Sequence, residues 1–308
     1  MTDPAALDAI QVSLNTETRF GLTISLAIMM FSVALTLKPQ DFVFLGRNPK
    51  MFLGGVATQV LLLPLMSVGL AHIIAPTPSV AFGMIVVACC PGGNVSNLMV
   101  LMSRGNAAYS VSLTAASSAL AFIITPVAIL FWAGLYPPTA QLIRSIEIDT
   151  LGFILQTAMA LGAPLAIGML LSTFQPKLAQ RIQPVFYAMA IAILVLLVVA
   201  GIVSNWEIIF SNGHIIAPVA IMHNASAFAL GALAGRVMRL ESPSRRALTF
   251  EIGIQNAGLG LVILLTQFPS LGGAAAVTGF WSLWHLFAGL ALAGGFRLYD
   301  RYSSSMRV

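Results

Sequence analysis

Long apolar runs separated by short charged segments constrain the fold of this chain more than any other feature of its sequence. A helix needs about 20 apolar residues to cross the hydrocarbon layer of a bilayer. Only 8% of the residues are charged, against about 25% in soluble domains. The apolar runs lie near residues 20–37, 51–74, 79–102, 107–135, 150–173, 184–204, 214–235, 247–267 and 271–296. The pattern predicts an all-α polytopic membrane protein with nine transmembrane helices.

Basic residues fall on alternate connections between these runs. One set of segments carries thirteen of the fifteen basic residues: Lys38, Arg47, Lys50, Arg104, Lys177, Arg181, Arg236, Arg239, Arg245, Arg246, Arg297, Arg301 and Arg307. The other set has Arg19 and Arg144, together with six of the ten acidic residues. Lys and Arg mark the cytoplasmic side, so we expect residues 1–18 to be extracellular and residues 297–308 to form a cytoplasmic tail in a plasma (inner) membrane protein. The net charge of +5 is thus explained by basic residues on the cytoplasmic connections, and it does not indicate a nucleic-acid-binding surface.

Two of the nine runs are interrupted by residues that a lipid-facing helix does not need. CCPGGNVSN spans residues 89–97, and FEIGIQNAGL spans residues 250–259 and adds Glu251. Irregular backbone at membrane depth is tolerated only inside protein or beside an aqueous cavity, and an acid at that depth is a candidate functional residue. The interruptions fall in the third and eighth runs, which cross the bilayer in opposite directions. This predicts an inverted repeat, with two discontinuous helices crossing at the midplane.

A broken helix offers two kinds of binding group. About four N–H groups are free at the start of one half-helix and four carbonyls at the end of the other. The N–H groups attract anions, and carbonyl, hydroxyl, amide and carboxylate oxygens suit a hard cation such as Na⁺. Glu251 could instead be a structural acid paired with Arg245 or Arg246, but these begin about 7.5–9 Å away along the helix, which favours cation binding. Ser110 and Thr114 share a helix face, a pattern equally typical of helix packing.

The two interrupted motifs belong to a larger set that resembles a known family. The set also contains RGNAAYSVSLT at 104–114, ALTLKPQDF at 34–42, ATQVLLLP at 57–64, MHN at 222–224 and SLWH at 282–285. Together they are similar to the bile acid:sodium symporter (BASS) family over about residues 20–296, in its nine-helix form. The resemblance implies a core domain that includes 51–135 and 214–296. It also implies a panel domain formed by helices near 20–37 and 150–173, with 184–204.

The resemblance also implies binding residues at matching positions. One Na⁺ site would use Ser96, Asn97, Ser110, Thr114 and Glu251. A second Na⁺ site would use Gln59, Glu251, Gln255 and the backbone carbonyls of Ile252 and Ile254. The solute would contact Asn94, Asn256 and His285. Two departures bear on the solute: many relatives have Thr at the position of Asn94 and Asn at the position of Leu286.

The function that follows is secondary active symport. We expect inward movement of Na⁺, as two ions, to drive uptake of an organic anion, a bile acid or related carboxylate or sulfonate, by alternating access. The chain has no HExxH or GxSxG motif, and we expect no enzymatic activity. The sequence leaves open a sodium-independent or proton-coupled carrier of small carboxylates such as pantoate or keto acids, and a non-transporting membrane receptor.

Overall fold

The computed structural model describes residues 7, 16–37, 43, 46–146, 149–204 and 206–305. Within these residues the chain forms helices and no strands. The helices are α1 (Thr16–Ala34), α2 (Pro49–Ile74), α3 (Pro78–Cys89), α4 (Asn94–Met102), α5 (Ala107–Leu135), α6 (Pro137–Ser145), α7 (Thr150–Phe174), α8 (Pro176–Ser204), α9 (Trp206–Val237), α10 (Ser242–Gly253), α11 (Ala257–Gln267) and α12 (Gly272–Ser305). Most of the predicted segment 1–18 and of the ALTLKPQDF motif lies outside the described residues.

Five helices are long and apolar enough to cross a membrane. They are Pro49–Ile74, Ala107–Leu135, Thr150–Phe174, Asn212–Val237 and Gly272–Tyr302. Three shorter apolar helices accompany them, Phe20–Ala34, Pro78–Cys89 and Ala257–Gln267. Two of the shorter helices, α3 and α11, are halves of the interrupted runs. The architecture is that of an all-α protein with several membrane-spanning helices.

The helix bounds differ from the predicted runs in several places, among them the start of α9 at Trp206 rather than 214. Helix α6 lies in a segment expected to be a loop, and Pro137 stands at its start, where proline is favoured because its missing N–H would be unpaired in any case. Helix α8 begins at Pro176 for the same reason. Helix α12 continues to Ser305, beyond the predicted end at 296, because hydropathy cannot detect a helix that continues as a polar one.

Each interrupted run is broken by local backbone chemistry. Helix α3 ends at Cys89, and Cys90 is extended with a ψ of 154°, as expected of a residue that precedes proline. Helix α10 ends at Gly253, and Ile254 is extended with a ψ of 96°. Both breaks are buried inside the protein, which is the condition for irregular backbone at membrane depth.

Helix α2 contains an irregularity that the sequence analysis did not predict. Residues Thr58–Leu62 form a π-helical turn, in which Leu63 N–H donates to Thr58 O. Pro64 follows directly and has no N–H to continue the regular α-helical ladder. Such single π turns are frequent at functional sites, and this one contains the buried side chain of Gln59.

The interrupted helix pairs contact several other helices. Helix α1 packs against α7 and α8, which also pack against each other. Helix α9 packs against α10 and α12, while α4 lies against α5, α10 and α12. Helix α3 packs against α2, α5 and α12, and α11 packs against α12 and α1, while α5 also contacts α7.

Candidate functional site

The two helix breaks lie against each other. Gly92 and Gln255 form an isolated antiparallel bridge. Gly93 N–H donates to Ile254 O at 3.0 Å, and Asn256 N–H donates to Pro91 O at 2.8 Å. Backbone groups that the breaks free from their own helices are thus paired with each other, so the segments predicted to cross do meet at their interruptions.

Glycine is required in the first break because the chains approach closely there. A Cβ atom added to Gly92 would collide with the carboxylate of Glu251. A Cβ atom on Gly93 would lie 3.1 Å from Gln255 O. The described glycines all have negative φ, so close approach, rather than left-handed backbone, explains these two.

The carboxylate of Glu251 is fully buried and surrounded by hydroxyl groups. Ser96 Oγ and Ser110 Oγ donate to Oε2 at 2.7 and 3.2 Å, and Thr114 Oγ1 donates to Oε1 at 2.7 Å. Asn97 Oδ1 accepts from Ser110 Oγ at 2.8 Å and lies 3.5 Å from Thr114 Oγ1. The five residues assigned by resemblance to one Na⁺ site therefore form one contiguous oxygen cluster, which we call the Glu251 cluster.

No basic side chain contacts Glu251 among the described residues. Arg246, five residues earlier on α10, forms a bidentate ion pair with Asp300 instead. A buried charge without a partner costs several kcal/mol. The oxygens around Glu251 are the ligand type that hard cations prefer, so the residues present fit a Na⁺ ion, whose charge would offset that of the carboxylate.

A second polar group lies next to the break in α10. Gln59 Nε2 donates to Gln255 Oε1 at 2.7 Å and to Cys90 O at 3.3 Å. Gln255 Nε2 donates to the carbonyls of Glu251 and Ile252 at 3.0 and 2.8 Å. The structure thus brings together Gln59, Gln255 and the Ile252 carbonyl.

Two members of the second predicted Na⁺ site have other contacts. The Ile254 carbonyl accepts from Gly93 N–H in the bridge between the breaks. The Glu251 carboxylate accepts its hydrogen bonds from the hydroxyls of the Glu251 cluster. It also lies against Gly92, the bridge partner of Gln255.

The predicted solute residues stand at the starts of half-helices and on α12. Asn94 begins α4 and is partly exposed. Asn256 caps α11, where its Oδ1 accepts from Leu259 N–H at 3.1 Å, so its Nδ2 group is the side available to a ligand. His285 Nδ1 bonds Trp281 O at 2.8 Å, and its ring stacks on Trp281. No hydrogen bond joins His285 to Asn94 or Asn256.

Two further residues hold the breaks, and the residue-by-residue prediction missed them. Asn224 Nδ2 donates to Gly253 O at 2.8 Å, as Gln59 does to Cys90 O, so each of these amides holds a carbonyl where a half-helix ends. Ser117 Oγ accepts from Gly92 N–H at 3.3 Å. An Asn inside an apolar helix was a usable signal for Asn224, whereas Ser117 resembles any packing serine of α5.

A metal centre built from acidic, cysteine or histidine side chains would be a different kind of site in the described part of the chain. No group of three or more His, Cys, Asp or Glu side chains there could hold a metal ion. The candidate site is therefore an oxygen site built from hydroxyls, amides, carbonyls and one carboxylate.

Comparison with known proteins gives consistent matches. A sequence model of the sodium bile acid symporter family matches residues 23–212. An "uncharacterized sodium-dependent transporter" of Bacillus subtilis (strain 168) is 33% identical over 88% of this chain and 81% of its own length. A "probable sodium/metabolite cotransporter, chloroplastic" of Arabidopsis thaliana is 30% identical over 89% of this chain and 66% of its own length. The ileal sodium/bile acid cotransporter of Homo sapiens is 29% identical over 80% of this chain and 69% of its own length.

Proposed function

The chain belongs to the sodium bile acid symporter family, and on that premise we propose that it couples inward movement of Na⁺ to uptake of an organic anion by alternating access. It acts as a carrier, and its oxygen clusters bind ions without catalysing a covalent step. The rest of this proposal assigns roles to the residues around the two helix breaks.

The Glu251 cluster carries the proposal. A buried carboxylate that accepts from three hydroxyls, two of which also contact the Asn97 amide oxygen, favours a cation as the missing charge, since Arg246, five residues earlier on the same helix, is bound to Asp300. Binding of Na⁺ would turn the hydroxyl oxygens of Ser96, Ser110 and Thr114 toward the ion. Because these hydroxyls come from α4 and α5 while Glu251 comes from α10, the ion holds three elements together.

A second Na⁺ ion would lie between Gln59, Gln255, the carboxylate of Glu251 and the carbonyls of Ile252 and Ile254. Gln59 and Gln255 are already in contact. This position needs small shifts, since the Ile254 carbonyl is engaged with Gly93. Two Na⁺ ions with a monoanion carry net positive charge inward, and an interior-negative potential supplies about 2.3 kcal/mol per charge per 100 mV.

The acid group of the solute would bind at the half-helix starts. Helix α4 has no side-chain cap; Ser96 N–H donates to Gly93 O, and the N–H groups of Asn94 and Val95 would be the ones that bind an anion, as those at helix N-termini generally do. Asn94 and Asn256 would add amide donors, and His285 would contact the solute from α12. The solute class is an organic carboxylate or sulfonate such as a bile acid, pantoate or a keto acid.

Transport would proceed through nine membrane spans. Each interrupted pair, α3 with α4 and α10 with α11, counts as one span, and α6 lies at a membrane surface. The N-terminus is outside and the C-terminus cytoplasmic in the plasma (inner) membrane, following the distribution of basic residues. Helices α1, α7 and α8 form the panel domain, which rocks against a core of α2–α5 and α9–α12, the two halves being inverted repeats.

The test is solute uptake into proteoliposomes under an inward Na⁺ gradient, with choline as the control cation and taurocholate, pantoate and pyruvate as solutes. We expect Na⁺-dependent uptake of at least one of them. The Glu251→Gln variant should lose this uptake by about 100-fold or more, since removing a charge from a buried ion site costs at least 3 kcal/mol. Glu241→Gln, at an exposed position, is the matched control and should behave as the unmodified protein.

Each alternative has its own outcome in this experiment. Uptake driven by a proton gradient without Na⁺ would replace the ion assignment with proton coupling through Glu251. Uptake that depends on neither the Na⁺ gradient nor the proton gradient would indicate a uniporter. Na⁺-dependent thermal stabilisation of the purified protein without uptake of any solute would favour a receptor or a solute outside the panel.

A further inference from the structure

The guanidinium of Arg246 joins three helices at the basic end of the protein. Its Nη1 donates to Ser103 O at 2.6 Å and to Asp300 Oδ2 at 2.8 Å, and its Nη2 donates to Asp300 Oδ1 at 2.5 Å. The guanidinium carbon also lies 4.8 Å from the centre of the Phe296 ring. Arg246 is only 8% exposed, so an α10 side chain is fixed between the end of α4 and the end of α12.

The end of α4 offers carbonyls that need such partners. Arg104 has a φ of 56° and ends the helix in a turn whose N–H groups donate to the carbonyls of Val100 and Leu101, so the carbonyls of Met102 and Ser103 are left for other donors. Arg246 donates a hydrogen bond to the Ser103 carbonyl, and Arg297 Nε donates one to the Met102 carbonyl at 2.5 Å. Positive charge at a helix C-terminus is favourable because it meets the negative end of the helix dipole.

The connection after α4 is also fixed to the start of α10. Asn106 N–H donates to Pro243 O at 2.9 Å, and Asn106 Nδ2 donates to Ser244 Oγ at 3.0 Å. These contacts and those of Arg246 hold the two half-helices together at the end far from the breaks. We call Arg246, Asp300 and the Ser103 carbonyl the Arg246 clamp.

The same two half-helices carry the Glu251 cluster at their other ends. Helix α4 carries Ser96 and Asn97, and α10 carries Glu251 five residues after Arg246. Helix α4 is about 14 Å long, so it is short enough that a displacement of one end also displaces the other. The Ser96–Glu251 contact is 2.7 Å, and a shift of α4 along α10 by one residue rise, about 1.5 Å, would lengthen it by up to that amount.

We propose that Arg246 is a positioning residue for the Na⁺ position at Glu251, acting with Asp300. The clamp sets the axial register of α4 against α10, and this register brings the Ser96 and Asn97 oxygens to the distance from Glu251 that the ion requires. It keeps that register when the ion leaves, so the site is pre-organised for the next ion. The inference rests on the proposed Na⁺ coupling.

The chemistry of the clamp explains why a bidentate arginine is suited to this role. A planar guanidinium fixes the orientation of a carboxylate through two parallel hydrogen bonds and still has a donor for the carbonyl. An ammonium group keeps the positive charge but lacks this fork. Arg246→Lys therefore keeps the positive charge but loses the two parallel hydrogen bonds. Asp300→Asn removes the negative charge of the carboxylate and leaves the arginine in place.

The experiment measures Na⁺ activation of solute uptake by Asp300→Asn and Arg246→Lys in proteoliposomes. Glu241→Gln and Arg236→Lys make the corresponding changes, an acid to its amide and an arginine to lysine, at exposed positions and are the matched controls. We expect the Na⁺ concentration for half-maximal uptake to rise on the order of tenfold in both clamp variants. The KM for solute at saturating Na⁺ should stay within about twofold of the unmodified protein, because the solute residues are untouched.

A second measurement does not depend on transport. Thermal unfolding of each purified variant is followed as NaCl is titrated against choline chloride at constant ionic strength. The midpoint of Na⁺ stabilisation should move to higher concentration in the clamp variants and stay in place in the controls. A lower unfolding temperature with an unchanged Na⁺ midpoint would show that the clamp is only structural, and would overturn the proposal.

The outcomes separate this inference from the proposed function. If the unmodified protein shows neither Na⁺-dependent uptake nor Na⁺-dependent stabilisation, the proposed function fails and the inference fails with it. If the unmodified protein responds to Na⁺ while the clamp variants match their controls in both Na⁺ midpoints, the inference alone is wrong.

Discussion

Thr114 is the clearest test of the Glu251 cluster at the level of a single residue. Its hydroxyl donates to Glu251 Oε1 at 2.7 Å, and valine has nearly the same shape without the hydroxyl. A hydrogen bond to a charged group contributes about 1.5–3 kcal/mol. Thr114→Val should therefore raise the Na⁺ concentration for half-maximal uptake by about tenfold or more, measured in the same proteoliposome assay.

Thr125→Val is the control for that prediction. Thr125 lies on the same helix and is 1% exposed, but it is outside the Glu251 cluster. Both substitutions remove a buried hydroxyl from α5, so they share any general effect on stability. Equal Na⁺ dependence in the two variants would contradict a role for Thr114 as an ion ligand.

Gly92 tests the close approach of the two breaks. The methyl group of Gly92→Ala would collide with the Glu251 carboxylate, so either the carboxylate or the first break must move. We expect Na⁺-driven uptake to fall by about tenfold or more, since overpacking a tight site costs about 1–3 kcal/mol. Stability should fall as well, measured as the unfolding temperature.

Gly134→Ala provides the comparison on α5, where an added Cβ meets nothing within 4 Å. Alanine stabilises helices relative to glycine, so this variant should keep its uptake and unfold at the same temperature or slightly higher. Normal uptake by Gly92→Ala would refute the steric account of the break.

The π turn of α2 is the feature to test at the level of an element. Pro64 interrupts the helical ladder, and the π turn before it sets the direction in which Gln59 projects. In Pro64→Ala the restored N–H permits a regular helix, which would rotate Gln59 relative to Gln255. We expect weaker Na⁺ activation with little loss of stability, measured by uptake against Na⁺ concentration and by thermal unfolding.

Pro164→Ala is the matched substitution, because Pro164 also lies inside a long helix, α7, that contributes no side chain to the Glu251 cluster or to the Gln59–Gln255 pair. It should leave Na⁺ activation unchanged. A regular α2 in the Pro64→Ala protein with unaltered Na⁺ activation would remove the π turn from the proposed mechanism.

Membrane orientation is the prediction that concerns the whole molecule. The two cysteines, Cys89 and Cys90, are buried and unpaired, so a Cys89→Ala, Cys90→Ala background permits single-cysteine labelling. In this background Gln141→Cys on α6 should react with an impermeant maleimide in intact cells. Arg236→Cys at the end of α9 should react only after permeabilisation. Both positions are exposed, and the reverse pattern would invert the proposed topology.

Local anomalies in the sequence were sufficient to predict the class of the protein and the position of its breaks. Pro91, Gly92 and Gly93 stand out because an apolar helix gains nothing from them, and Glu251 because burial of a charge is costly. These signals depend on residues adjacent in the chain, and the family resemblance converted them into named site residues. The same local signals could not predict α6 or the full length of α12, since hydropathy detects the membrane interior and not the helix itself.

Sequence alone is enough to predict an all-α chain with long apolar helices, two of them interrupted, and a candidate ion-binding acid. Which groups meet depends on how the helices pack: Thr114 reaches Glu251 across 137 residues, Gln59 reaches Gln255 across 196, and Arg246 binds Asp300 rather than Glu251. The π turn that contains Gln59 and the hydrogen bond from Asn224 to Gly253 O are likewise visible only in the folded chain. Composition and periodicity are local, whereas a hydrogen bond depends on atoms that the packing of separate helices brings within about 3 Å.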